Sequence, residues 1–260
     1  QAGPNRKPAM IRAHLATCPP RAGILMQAVA SILPQVDRLC ICLNGYDRVP
    51  QDLGDLAKVQ AMIPDRDLKD AGKFAFPVAP GDMVFTIDDD IRYPPDYVAR
   101  TLRGFDGLDP AGNVLGHLGH AYLQKPATGA MGWRNYPFNR RVAQVFKVDV
   151  LGTGTTCQIG ANLPGLEDML GAAGFVDIRH ARLHHLAGRS LWVLPHDDDD
   201  IRSTMTDDLA DTSLFRTVNR VSPPEMRAEM RALFPTLTPH SGLKLEKVLK
   251  ERAAAGQRQV

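Results

Sequence analysis

A chain of 260 residues with 44% apolar and 23% charged side chains is long enough for one large α/β domain, and this composition excludes a disordered or fibrous protein. Its net charge of +2 gives no reason to expect nucleic acid or another polyanion as a partner. No stretch is apolar for the length a membrane helix needs, and the start lacks the charged-then-apolar pattern of a signal peptide.

The first half alternates strands and helices. Residues 10–16 read as a strand, followed by a turn at Thr17-Cys18-Pro19-Pro20-Arg21. Residues 24–33 read as a helix stopped by Pro34, and 38–43 as a short apolar strand ending at Asn44-Gly45. A third strand is expected at 59–63, a short helical segment at 68–76 and a buried strand at 83–87. Pro94-Pro95 then opens a helix over 96–105, since proline is tolerated in a first helical turn. The second half is less regular: strands at 114–123, 143–150 and 191–194, helices at 163–170 and 177–186, and a helical, charged stretch from about 203. Ser222-Pro223-Pro224-Glu225 looks like a helix start there, and 244–258 reads as a basic helix or tail. That tail is a solvated face or, as the functional alternative, a contact with an anionic membrane surface.

Apolar strands separated by helices predict an α/β fold with a mixed, mostly parallel central sheet covered on both faces. Sites in such sheets lie at the carboxyl ends of the strands. Those ends carry Thr17 with Arg21, Asn44, and Asp88-Asp89-Asp90, so these residues are expected to converge on one edge. The four cysteines, Cys18, Cys40, Cys42 and Cys157, match no common zinc spacing. They read as free thiols, which suits a cytoplasmic setting.

Met83-Val84-Phe85-Thr86-Ile87 followed by Asp88-Asp89-Asp90 is the strongest local signal. On an extended chain Asp88 and Asp90 point to one side and Asp89 to the other. Two carboxylates at the mouth of a buried sheet repel unless a cation sits between them, and hard oxygen ligands suit Mg²⁺ or Mn²⁺. The alternative is an acidic turn capping the next helix. His196 opens His196-Asp197-Asp198-Asp199-Asp200 at a strand end; it reads as a further metal ligand or as part of a solvated loop. His117 and His120 near a strand end read as structural or, as the alternative, as contacts to an acceptor or sugar, and His184 and His185 on a helix read as structural. Gly152-Thr153-Gly154-Thr155 lacks the spacing of a phosphate loop and is either a tight turn or a place where backbone approaches a ligand.

Ile87-Asp88-Asp89-Asp90-Ile91 with Tyr93-Pro94-Pro95-Asp96-Tyr97-Val98 resembles the Asp-x-Asp segment of family-2-like glycosyltransferases with the A-type, Rossmann-like fold, particularly the bacterial polysaccharide-building members. Thr17 to Arg21, Asp70-Ala71-Gly72-Lys73-Phe74 and Leu151-Gly152-Thr153-Gly154-Thr155 fall in the order of that family, and the resemblance spans about 10–200. It implies a transferase domain over 1–202 that binds a nucleotide sugar and an acceptor, with 203–260 as a helical extension packed on it.

The resemblance also implies roles. The turn at Thr17 and Arg21, with Asn44, would line the nucleoside pocket, Asp70 would accept from the base, and Lys73 would approach the diphosphate. Asp88 would face the ribose or metal-bound water and Asp89 would belong to the same nucleotide-binding set, with Asp90, Asp88 and His196 as metal ligands for Mn²⁺ or Mg²⁺. Gly152, Thr153 and Gly154 would lie close to the donor sugar. Asp177, at the start of a helix, would act as catalytic base, although the Glu-Asp pair and the Gln-x-x-Arg-Trp motif of other members are absent. The donor expected by frequency is a UDP-sugar and the acceptor a saccharide or a lipid-linked one, in the cytoplasm or at the inner membrane face. Two other enzyme classes stay open, a nucleotidyltransferase and an Asp-x-Asp phosphatase, beside a non-catalytic nucleotide-sugar-binding module.

Overall fold

The computed structural model describes residues 9–124 and 131–256. Among them the strands are β1 (Ile11–Thr17), β2 (Arg38–Leu43), β3 (Val59–Met62), β4 (Met83–Ile87), β5 (Ile91–Arg92), β6 (Asn113–Gly116), β7 (Gly119–Gln124), β8 (Met131–Tyr136), β9 (Phe146–Val148), β10 (Val150–Leu151), β11 (Thr155–Ile159), β12 (Ser190–Val193) and β13 (Arg202–Ser203). The α-helices are α1 (Ala22–Ile32), α2 (Gln51–Gly54), α3 (Tyr97–Arg103), α4 (Leu166–Leu170), α5 (Val176–Leu186), α6 (Leu214–Val221), α7 (Pro224–Leu233) and α8 (Leu245–Gly256).

The protein is a mixed α/β fold. Its central sheet has eight strands in the order β3-β2-β1-β4-β11-β6-β12-β9. β1, β2, β3 and β4 run parallel, as do β6 and β12, while β11 is antiparallel to both β4 and β6 and β9 is antiparallel to β12. β2 and β4 are apolar because they are buried on both faces, as parallel strands under helices must be. α1 presents Leu25, Val29 and Ile32 to Leu15, Leu39, Ile41 and Phe85 of the sheet. The polar ends of β1, β2 and β4 therefore emerge along one edge.

Expectations change in the second half, where the strand expected at 143–150 is divided between β9 of the central sheet and β10 of another. The single strand expected at 114–123 is two strands in different sheets. β6 belongs to the central sheet, whereas β7 pairs with β8 and β10 in a separate three-stranded sheet. Gly119 permits the changeover, since a Cβ there would meet the Val150 carbonyl oxygen at 2.6 Å. β11, whose Thr-Thr-Cys-Gln-Ile carries no apolar run, is nonetheless central, between β4 and β6.

The C-terminal segment packs on this layer. Glu229 of α7 receives both Arg179 and Arg182 of α5, Leu233 joins the cluster of Val148, Val150 and Ala181, and Val248 of α8 packs with Leu108 and Trp192. Positions 257 and 258 of the expected basic tail lie outside the described residues. Among the described residues no helix is long and apolar enough to cross a membrane. The four cysteines are free thiols.

Candidate functional site

Five of the residues expected at the strand ends, Thr17, Arg21, Asn44, Asp88 and Asp89, line one cavity of about 130 Å³ together with Asp70 and Lys73. Thr212 and Leu214 of the C-terminal segment close it. A wider cleft of about 710 Å³ lies between the end of α1, Pro94-Pro95 and the Asp197–200 loop. It contains none of the residues expected to bind donor or metal, so the smaller cavity is the candidate site.

The acids fan out. The strand ends at Ile87 and a turn takes over at Asp89-Asp90, so the alternation of a straight strand does not continue. Asp88 forms an ion pair with the buried Lys73. Asp89, itself buried, accepts from Arg21 Nη1 at 2.6 Å, and Asp90 lies 3.3 Å from the same nitrogen. Burial, reinforced by the charges of Asp88 and Asp89, raises the Asp90 carboxyl to about 7. Tyr93 fixes the turn from below. Its hydroxyl accepts from Asp88 N at 2.9 Å and donates to the Gly154 carbonyl at 2.7 Å. Gly154 is needed for a plain reason: a Cβ on it would occupy the space of the Asp88 carboxylate.

Lys73 is delivered by a 3-10 turn, Lys69–Phe74, rather than the longer helical segment expected at 68–76. Gly72 allows that turn to lie on Cys42, whose Sγ would be 2.6 Å from an added Cβ. His14 of β1 donates from Nδ1 to the Lys73 carbonyl at 3.0 Å and so holds the turn from the sheet. Burial opposes the Lys73 charge, but Asp88, Asp177 and Asp70 outweigh it and keep the ammonium above its usual pKa. Asp70 accepts from Gly174 N at 2.5 Å; burial raises it to about 6, against the pull of that N–H and of Lys73.

Several residues have roles other than those expected. Asn44 accepts from Leu68 N and donates to the Lys69 carbonyl, at 2.9 and 3.0 Å, so it shapes the cavity wall and its amide is committed to the chain. Asp177 is not among the residues lining the cavity. It stands behind Thr153, accepting from its N–H at 2.8 Å and its hydroxyl at 2.7 Å, and burial raises its carboxyl. Thr153 in turn stands 3.5 Å from the Lys73 ammonium. Gly152 packs closely on Leu118, whose side chain a Cβ there would overlap.

His196 is a clear correction. Its Nδ1 faces the Leu194 carbonyl at 2.9 Å and its Nε2 the Pro137 carbonyl at 3.1 Å. Backbone bridging to Val142 draws the ring inward, where its edge meets buried His117. Its nitrogens are occupied away from the acids, so it is no ligand in this arrangement. The sequence reading also passed over His14, Tyr93 and Thr212. Tyr93 was visible within the Tyr-Pro-Pro motif; His14 carried no local signal, lying inside an apolar strand.

Among the described residues no three His, Cys, Asp or Glu side chains gather as a complete metal ligand set. Mg²⁺ and similar ions commonly use only one or two carboxylates and complete their shell with water and phosphate oxygens. Asp88 and Asp90 meet that smaller requirement. Both are partly exposed, and Oδ2 of neighbouring Asp89 is buried without a partner. The acids fit a cation shared with a bound phosphate, not one caged by protein.

No family model matches the chain, and no curated protein matches it. Among solved structures it is similar to one described as the crystal structure of 4-diphosphocytidyl-2C-methyl-D-erythritol synthase, with 13% identity and a TM-score of 0.45 over 80% of this chain and 99% of that one. A likeness this remote carries no functional argument.

Proposed function

We propose that the protein is a nucleotide-sugar-dependent glycosyltransferase that uses Mn²⁺ or Mg²⁺, takes a nucleoside-diphosphate sugar, with UDP favoured, and transfers the sugar to a saccharide or lipid-linked acceptor. One observation supports this above the others: two cationic side chains, Arg21 and Lys73, pair with Asp89 and Asp88 in a cavity at the carboxyl ends of parallel strands, with Asp90 beside Arg21. Such a mixture of fixed cations and partly exposed acids suits a diphosphate and the metal that accompanies it.

When bound, the cation would neutralise charge developing on the departing diphosphate. Lys73, held by His14 and Gly72, would donate to a phosphate oxygen, exchanging its pairing with Asp88 for the ligand. Thr17 and Asp70 would line the nucleoside end. Asp177 would take the proton of the acceptor hydroxyl after the Thr153 loop releases it; burial raises its carboxyl, the direction a general base needs. The cavity of about 130 Å³ is below the roughly 300 Å³ at which ligand pockets begin, so donor entry requires the segment carrying Thr212 and Leu214 to withdraw.

The test is incubation with a panel of nucleotide sugars with and without Mn²⁺, following nucleoside diphosphate release. Metal-dependent release supports the reading. Pyrophosphate release from a nucleoside triphosphate, phosphate release from monoesters, or binding without turnover would each replace it with another class.

A further inference from the structure

The protein has two tryptophans of opposite character: Trp192 is wholly buried, whereas Trp133 on β8 is 68% exposed. β8 is the edge of the sheet β10-β7-β8. Trp133 pairs directly with Tyr122 across the β7–β8 hairpin, which puts both rings on one face. The Tyr122 ring meets that of Phe234 at 4.9 Å, edge to face, and its hydroxyl reaches Met230 Sδ at 3.8 Å. Phe234 is itself 39% exposed. An aromatic row therefore runs from the hairpin onto the end of α7.

The charge beside this row is supplied by α7. Arg227 stands three residues before Met230, and Arg231 three before Phe234, so both lie beside the row on α7, and both are exposed. Glu229 on the same helix is turned inward onto Arg179 and Arg182, where it is neutralised. The other acid of α7, Glu225, sits in the first turn, roughly two turns from Phe234. With a net charge of only +2 over the whole chain, this basic character is local.

We infer that the hairpin face centred on Trp133, with Phe234 and the arginines of α7, docks on an anionic lipid bilayer surface. Exposed Trp and Phe seat at the headgroup boundary, and arginines beside them meet the negative surface potential; together they supply the two signals that stable peripheral binding needs. A soluble acidic partner would not need the exposed indole to enter an apolar phase. This inference is independent of the proposed reaction.

The full chain is tested with vesicles of phosphatidylcholine and phosphatidylglycerol in equal parts, against pure phosphatidylcholine. Expected are co-sedimentation with the anionic vesicles only, loss of binding at high salt, and a blue shift of tryptophan emission. Because Trp192 is buried, the shift reports Trp133. W133S should abolish the shift while Trp192 emission verifies the fold, and R227E with R231E should weaken binding by on the order of tenfold or more. The inference is overturned by no binding to anionic vesicles, or by binding that survives these changes. Binding lost instead through K247E and K250E of α8, or binding to soluble dextran sulfate that leaves vesicles unbound, would likewise overturn it.

Discussion

Arg21 and Thr212, far apart in sequence, are joined by two hydrogen bonds: Nε donates to Oγ1 and Nη2 to the carbonyl oxygen, each at 3.0 Å. The remaining nitrogen of the same guanidinium holds Asp89 and Asp90. One side chain therefore ties the acidic turn to the segment that closes the cavity. Removing it in Arg21→Ala leaves the buried Asp89 charge without its counterion, which is expected to cost about 3–5 kcal/mol. Arg21→Lys keeps the charge and loses the fork, so its cost should be smaller. Thr212→Val removes only the hydroxyl and should act on the segment alone. Urea unfolding ranks the three, and hydrogen exchange across 207–214 should quicken in all of them; unchanged exchange in Arg21→Ala would refute the link.

Gly154 and Asp88 make a narrower prediction. Gly154→Ala places a methyl group where the Asp88 carboxylate lies, and that carboxylate is paired with Lys73. The side chain can rotate away because it is partly exposed, so the loss of stability should be modest, about 1–2 kcal/mol for the strained contact. The loss of function should be far larger, since the displaced group is a candidate metal ligand. Nucleotide affinity with and without Mn²⁺, measured by calorimetry, would separate the two effects. Retained Mn²⁺-linked affinity in this variant would show that Asp88 does not act there.

His14 predicts acid sensitivity. Burial lowers its pKa to about 4, although its bond to the Lys73 carbonyl and nearby Asp82 favour the charged form. In the unfolded chain the ring takes up a proton near pH 6.5, while the folded protein resists protonation until about 4. Stability should therefore fall as pH drops through that window, by up to ~3 kcal/mol from this residue. His14→Asn retains a donor toward the Lys73 carbonyl and cannot titrate. Its urea midpoint should depend less steeply on pH between 6.5 and 4 than that of the parent; equal slopes would remove His14 as the cause.

The fold was legible where burial leaves a plain hydrophobic trace. β2 and β4 fall where the apolar runs place them, because strands covered on both faces cannot hide their composition. β11 escaped because its polar Thr155, Thr156 and Gln158 are buried at the sheet centre, with Thr156 bonded to the Gly152 carbonyl and Gln158 to His180. At the site, position at a strand end groups Thr17, Arg21, Asn44, Asp88 and Asp89 around one cavity, with Asp90 beside it on Arg21. Position does not say where a side chain points: His196 lies at a strand end too, yet its ring is drawn to carbonyls by long-range pairing with Val142. Partners brought from distant sequence, such as Thr212 for Arg21 or His14 for Lys73, leave no local pattern at all.

Asp90 gives a prediction in which stability and function part. Its carboxyl is raised to about 7 by burial and by the charges of Asp88 and Asp89, so its ionised form is disfavoured in the fold. Because the folded pKa lies above the unfolded one, this group destabilises the protein progressively as pH rises from about 4 through 7, and the cost is complete above 7. Asp90→Asn removes the like-charge repulsion and leaves the Arg21–Asp89 pair in place. At pH 8 it should stabilise the metal-free protein, by ~1–2 kcal/mol after allowance for screening by Arg21. The same change should weaken Mn²⁺-linked affinity for nucleoside diphosphate markedly, because a neutral amide oxygen lacks the charge of a carboxylate. A site that gains stability when its acid is removed is one whose charge is retained for another purpose. Urea unfolding and Mn²⁺ titration on one variant examine both halves, and a destabilised Asp90→Asn that couples Mn²⁺ to nucleotide as strongly as the parent would contradict both.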